Sequence, residues 1–334
     1  MRPRRFLAPL TLSLALGCSD PSAMGEASSL ILFSDDALFR EVEDATYEAL
    51  EPTIFTVRDE KQYEVTSVED DDPAIPTLRQ FVNVLVFGTG SDPMLQEVAE
   101  AGGVQLSDMM APRVFQATDV WARGQTVTGV LLREGREVES WLESLPSVLA
   151  AVDQRYRAWV RRRMFVTTPD TALAADLARR FGFRIIVPRL YDRVARGLDG
   201  GDSLVILRND NPDPSQLIRS ILVHPRAKPD SLTSADAIAW REGIDGVQYN
   251  VAQGIRLDNS SVTSFSVGGA PALEVTGAWF DEVGNFPAGG PFMIWVVDCP
   301  SRAYYIDAWL YAPNAPKYEY MLQLQEILGS FECS

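Results

Sequence analysis

Residues 303–311 read AYYIDAWLY. Tyr304, Ile306, Ala308 and Leu310 alternate with Tyr305, Asp307, Trp309 and Tyr311. In a strand, successive side chains point to opposite faces, so each set covers one side of a sheet. Residues 272–281 and 292–299, just upstream, have the same strand-forming composition, and residues 316–330, just downstream, have the periodicity of a helix. Earlier still come FRIIVPRLY, SLVILR and IRSILVH, with a helical SADAIAWREGI after them. Strands that arrive in runs, not in strict alternation with helices, predict an α+β fold of mainly antiparallel sheets with helices packed on one face.

The first half has a similar mixture. A short strand at residues 29–33 leads into a helix that Ser34 can cap and whose first turn holds Asp35 and Asp36. YEVTSV alternates as a strand, and FVNVLVFGT is a continuous apolar run, hence a buried strand. Pro93 suits the first turn of a helix, two strands follow in RVFQATDVWA and TVTGVLL, and a helical stretch from Glu134 to Met164 is expected to break or kink at Pro146. The domain boundary is placed near Phe165, dividing residues 29–165 from 166–334.

The extreme N-terminus reads differently. Arg2, Arg4 and Arg5 precede an apolar run from Phe6 to Leu16, too short to span a bilayer, which needs about 20 apolar residues. Residues 1–17 are therefore a signal peptide. Leu14, Ala15, Leu16 and Gly17 before Cys18 resemble the lipobox of bacterial lipoproteins, with Ala15 where leucine is common. That resemblance makes Cys18 the lipidated first residue of the mature chain, residues 18–28 a tether, and the membrane a partner through the lipid. Several acyl chains on one residue hold firmly, since each buried methylene adds about 0.8 kcal/mol. Ser19 in place of an aspartate favours the outer membrane of the cell envelope.

Composition bounds the rest. The 334 residues are 46% hydrophobic and carry a formal net charge of −16. That charge argues against nucleic acid as a partner. His224 is the only histidine, so neither a histidine metal cluster nor a histidine pair is available. GTGSDP, residues 88–93, has two glycines where a dinucleotide loop has three, and Pro93 lacks the amide a phosphate would use; it reads as a plain turn. RNDNPDPS, residues 208–215, spaces Asn209, Asn211 and Asp213 like a calcium loop but lacks its glycine and its closing glutamate. The arginines at 155, 157, 161, 162 and 163 suit the C-terminal end of a helix. Neither a cofactor, a metal nor a set of catalytic residues is assigned.

EVTGAW from Glu274, GGPF from Gly289, YAPNAPK from Tyr311 and QLQEILGSF from Gln323 resemble the C-terminal signature of a family of bacterial lipoproteins, domain-of-unknown-function family 4837. VPRLY at Val187 and LVILR at Leu204 add to the match, which covers roughly residues 115–331. The resemblance implies a lipidated envelope protein and supplies no activity. From VPRLY onward, the order of elements is similar in plan to folds of the PsbP type.

Two candidate features remain. Tyr305, Asp307, Trp309 and Tyr311 form an aromatic face with an acid in it, suited either to binding a glycan or peptide or to lying under the helix that ends at Phe331. Cys299 and Cys333 are the second. Cys299 ends a strand, the next strand runs away for about 30 Å, and the last helix returns about 22 Å along the sheet, so Cys333 comes back within reach. A Cys299–Cys333 disulfide is expected in an oxidising compartment. These features predict an exported, membrane-anchored accessory, assembly or binding component that meets envelope proteins or glycans, with a carboxylate-based glycan hydrolase as the alternative.

Overall fold

The computed structural model describes residues 21–197, 203–210, 216–244, 252–283 and 288–334. Its first elements are β1 (Ser29–Phe33), α1 (Asp36–Leu50), β2 (Thr53–Phe55), β3 (Asp59–Lys61), β4 (Glu64–Val68), α2 (Ile75–Leu78) and β5 (Asn83–Gly88). Next come α3 (Pro93–Ala101), β6 (Arg113–Thr118), β7 (Thr126–Leu131), α4 (Glu137–Met164), α5 (Thr171–Phe181), β8 (Phe183–Arg184), β9 (Asp192–Gly197), β10 (Ser203–Asn209) and β11 (Ile218–Arg226). The chain closes with α6 (Ser234–Glu242), β12 (Gln253–Arg256), β13 (Val262–Val267), β14 (Ala270–Asp281), β15 (Gly289–Asp298), β16 (Ala303–Tyr311), α7 (Tyr318–Leu328) and β17 (Glu332–Cys333). Cys18 and the expected signal peptide lie outside the described residues.

Two compact units emerge, one of Met1–Glu43 with Val65–Ser144, the other of Asp44–Glu64 with Leu145–Ser334. The division at Leu145 lies inside α4, not at the expected 165/166. Pro146 neither breaks the helix nor ends it. A mid-helix proline costs about 3 kcal/mol. Val148, Val152, Tyr156 and Val160, four residues apart, are all buried, and that stripe offsets the loss.

In the first unit the strands are ordered β4-β1-β5-β7-β6, with β1, β5 and β7 parallel and β6 antiparallel to β7. The fold is the α+β one expected, with antiparallel pairing throughout the larger sheet of the second unit, and this smaller sheet adds a parallel centre. Every residue of β5 is buried, as a parallel strand covered on both faces requires. Ile31, Val84, Val86 and Val127 meet Leu95 and Val98 of α3 on one face. Phe87, on the other, stacks on Trp141 with ring centroids 3.8 Å apart. The 88–93 turn is the plain one expected. Asp92 accepts from the Leu95 amide at 2.7 Å, occupying the helix N-terminus that a phosphate would need. A Cβ at Gly88 would stand 2.9 Å from the Asp92 side chain, so the cap itself demands glycine there.

The second unit carries an antiparallel sheet ordered β12-β14-β15-β16-β11-β10-β9, with β13 also paired to β14. The alternation read in β16 holds. Tyr304, Ile306, Ala308 and Leu310 share a core with Leu324, Ile327 and Leu328 of α7 and Leu177 of α5. Leu204, Leu222, Ile294, Tyr305 and Trp309 share another with Ala237 and Trp240 of α6. Helices therefore cover both faces of this sheet, not one, because both alternating sets are apolar enough to need cover.

Cys299 and Cys333 are disulfide-bonded, with Cα atoms 5.7 Å apart across 34 residues. Between the helix and Cys333, Phe331 is fully buried and stacks on Phe183. Replacing both cysteines by serine is expected to lower stability by roughly 3–4 kcal/mol, the chain entropy of a loop this long. Urea denaturation of oxidised and double-serine protein measures it, and coincident midpoints would contradict the expectation.

Candidate functional site

On the α7 side of the second-unit sheet, the helix packs over β11 and β16, and β13, β14 and β15 lie beside it. Side chains of alternate residues, Phe265, Glu274, Thr276, Met293 and Trp295, there line a groove of two adjoining cavities of about 590 and 360 Å³. Glu274 and Gln325 line both. The larger cavity is walled by Arg161, Met164 and Phe165 from the end of α4 and by Glu326 and Ser330 at the end of α7. Tyr318, Met321 and Leu322 of α7 and Thr56 and Gln62 flanking β3 close the smaller.

Glu274 is the acidic side chain on the sheet floor of this groove. The indole N–H of Trp295 donates to its Oε2 at 2.6 Å, which fixes one oxygen and leaves the other lone pairs for a ligand. Phe265 stands edge-on to Trp295, centroids 4.6 Å apart. Trp295 is 4% exposed, so it supports the carboxylate from beneath and is not itself a stacking platform.

The opposite wall is held by ion pairs. Arg161 lies 2.7 Å from Glu326, Arg157 lies 3.7 Å from Glu326 and 2.7 Å from Asp153, and Arg163 lies 3.3 Å from Glu319. The arginine run at the end of α4 thus ties that helix to α7. Burial, with Arg162 nearby, brings the Arg155 guanidinium down to about 10. Tyr63 and Tyr318 both donate to Asp153 Oδ1, at 3.1 and 3.3 Å. Burial foremost, and then the Asp153 charge, pushes the Tyr318 phenol up to about 12, and burial foremost, with Tyr318 and then Asp153 beside it, raises that of Tyr63 well above its usual range. Both stay neutral donors at any physiological pH.

The aromatic face of β16 is elsewhere, and it is interior. Tyr305, Asp307 and Trp309 are 7%, 0% and 2% exposed, and Tyr311 is half-buried. The cover is α6, not the helix that ends near Phe331, which lies on the opposite face. Arg241 donates from Nε to Asp307 Oδ1 at 3.0 Å and from Nη2 to Gln253 Oε1 at 2.7 Å, and its guanidinium sits 4.1 Å from the Phe292 ring centre. Both charges of the pair are fully buried. The indole of Trp240 donates to His224 Nδ1 at 3.0 Å, so the single histidine is a structural partner at a strand end. Asn209 is buried at the end of β10; Asn211 and Asp213 lie outside the described residues.

Glu274 stands in EVTGAW, a motif that by itself assigns it no role. One signal was present: in β14 the face that starts with Ala270 and Ala272 continues with Glu274, an acid in line with two buried alanines.

Every sheet and α7 residue of this groove after β12 falls within one recognised stretch. Residues 171–330 match the model described as Domain of unknown function (DUF4837). That match takes in just under half of the chain and lies within the second unit. It begins with α5 and ends two residues after α7, so the walls from α4 and from the β2–β3 hairpin are added from outside it. No curated protein matches the chain. Among solved structures, it is similar to cyanobacterial PsbP (CyanoP) from Synechocystis sp. PCC 6803, with 11% identity, coverage of 46% of this chain and 87% of that one, and a TM-score of 0.31. A protein from Bacteroides thetaiotaomicron VPI-5482 is similar at 14% identity, 46% and 45% coverage and a TM-score of 0.27. LpqN, involved in cell envelope biogenesis of Mycobacterium tuberculosis, is similar at 14% identity, 46% and 83% coverage and a TM-score of 0.25.

Proposed function

We propose that the chain is an exported lipoprotein, anchored through Cys18 to the cell envelope, favouring the outer membrane, and that it works as a non-catalytic binding component whose DUF4837 groove takes a segment of an envelope polypeptide. The observation that carries this reading is the groove floor. A single carboxylate, Glu274, is set by Trp295 among apolar walls from Met164, Phe165, Ile186 and Phe265. An apolar side chain fills such a cavity, and a neighbouring lysine, arginine or N–H donor meets the acid.

A titration with a short peptide of alternating leucine and lysine, read by tryptophan fluorescence, tests it. Saturable binding that weakens about tenfold in Glu274→Gln, with an unchanged melting temperature, is the expected result. Equal affinity in the variant would reduce the binding to general attraction by an acidic chain. The anchor has its own test: Cys18→Ser is expected to leave the membrane fraction or stay uncleaved, and to lose labelling by a fatty-acid analogue. Unchanged labelling would contradict it.

A second reading has one observation in its favour, since Glu274 and Glu326 line the same cavity, and glycosidases work with two carboxylates. Glu326 is already committed to Arg157 and Arg161, which favours the binding role. Release of reducing ends from peptidoglycan fragments, lost in both Glu274→Gln and Glu326→Gln, would decide for the hydrolase.

A further inference from the structure

The sheet of the second unit ends, beside β14, in β13. Its hydrogen-bond parity follows from three independent features. Val267 and Ala270 flank a two-residue turn in which Gly268 and Gly269 both have positive φ, +55° and +80°, so those two flanking residues form a hydrogen-bonded pair. Pro271, opposite Ser266, has no N–H to give, which makes that next pair a non-bonded one. Further along, the Thr276 amide donates to the Ser261 carbonyl at 3.0 Å, in phase with the same alternation. Ser261, Thr263, Phe265 and Val267 thus turn their backbone groups towards β14. Val262, Ser264 and Ser266 turn theirs outward, where they meet no strand among the described residues.

An open row of N–H and C=O groups is a template for another strand, and proteins blunt such edges with charge. The other edge strands of the two large sheets do so: β9 contains Asp192, Arg193 and Arg196, β12 contains Arg256, β4 contains Glu64 and β6 contains Arg113. From Asn259 to Leu273 there is no charged residue at all. Val262 is 54% exposed on that edge, and its neighbours through Ser264 are exposed with it.

We propose that this edge pairs with the same edge of a second copy of the chain, antiparallel about a two-fold axis through Ser264. The occupant is argued from charge and register together. Two chains of net charge −16 repel wherever acidic surfaces meet, and β13 is an edge at which they approach without bringing like charges face to face. The outward set is also self-complementary. Ser264 faces Ser264 of the other copy and Val262 faces Ser266, each pair exchanging two hydrogen bonds. On the groove side, Thr263 of each copy then lies against the half-buried Phe265 of the other. The two sheets become one continuous sheet, and neither chain keeps an uncharged edge.

Analytical ultracentrifugation of the full chain carrying Cys18→Ser, which keeps lipid-driven association out, tests the pairing. A concentration-dependent dimer is expected, tighter at higher salt as the net repulsion is screened. Ser264→Pro removes one outward N–H without touching a bond to β14, and Val262→Lys places a charge on the edge; each is expected to weaken the dimer about tenfold or more while circular dichroism and melting stay those of the parent. A monomer at all concentrations would overturn the proposal and leave the edge to a different chain. So would a dimer that both variants leave intact.

Discussion

Asp307→Ala is expected to cost about 3–5 kcal/mol of stability. Asp307 and Arg241 are both 0% exposed. Removing the carboxylate strands a guanidinium under α6, against Phe292 and Gln253, where water cannot solvate it. The penalty is that of the orphaned charge more than the worth of the pair, because two ions taken out of water regain little net energy from each other. A double variant, Asp307→Leu with Arg241→Met, is therefore expected to be more stable than Asp307→Ala alone. Urea denaturation of the three proteins decides. A loss under about 1 kcal/mol in Asp307→Ala would mean that water reaches Arg241 and that α6 does not seal this face.

Trp309→Ala is expected to cost about 3–5 kcal/mol as well, the range for emptying a large aromatic site in a core. Its indole meets Trp279 edge-on with centroids 5.5 Å apart, and the Arg208 guanidinium lies 5.6 Å from its ring centre. The sheet on one side and the α6 layer on the other are already in place, so the vacated space can collapse only in part. The same urea measurement applies. A ligand platform would lose its ligand and keep its midpoint; an unchanged midpoint would return this face to the role that its Tyr, Asp and Trp composition suggests.

That face marks the limit of what a strand reveals about itself. The alternation in AYYIDAWLY assigns Tyr304, Ile306, Ala308 and Leu310 to one side and Tyr305, Asp307 and Trp309 to the other, as found. Which side a helix will cover depends on residues far away, here Trp240 and Arg241 of a segment legible as a helix but not as a lid. FVNVLVFGT was legible as a buried strand for a similar reason, and the continuity of its apolar residues is also the mark of a parallel strand. Direction, however, is set by the connections between the strands, not by composition. Cys299 and Cys333 were legible because strand rise and helix rise are fixed lengths that can be laid end to end. The groove at Glu274 was not: it exists because α7 packs over β11 and β16 and leaves β13, β14 and β15 open beside it, and no periodicity in QLQEILGSF states where the helix lies on the sheet.

The groove is tested most directly in living cells with a photo-crosslinking phenylalanine analogue placed at one of two positions. Met321 lines the smaller cavity and is half-buried; Tyr311 is the most exposed member of the β16 aromatic set. If the groove at Glu274 is the working surface, the analogue at Met321 gives a discrete crosslink to an envelope polypeptide that Glu274→Gln abolishes, and the analogue at Tyr311 gives none. Crosslinking from Tyr311 with none from Met321 would contradict it.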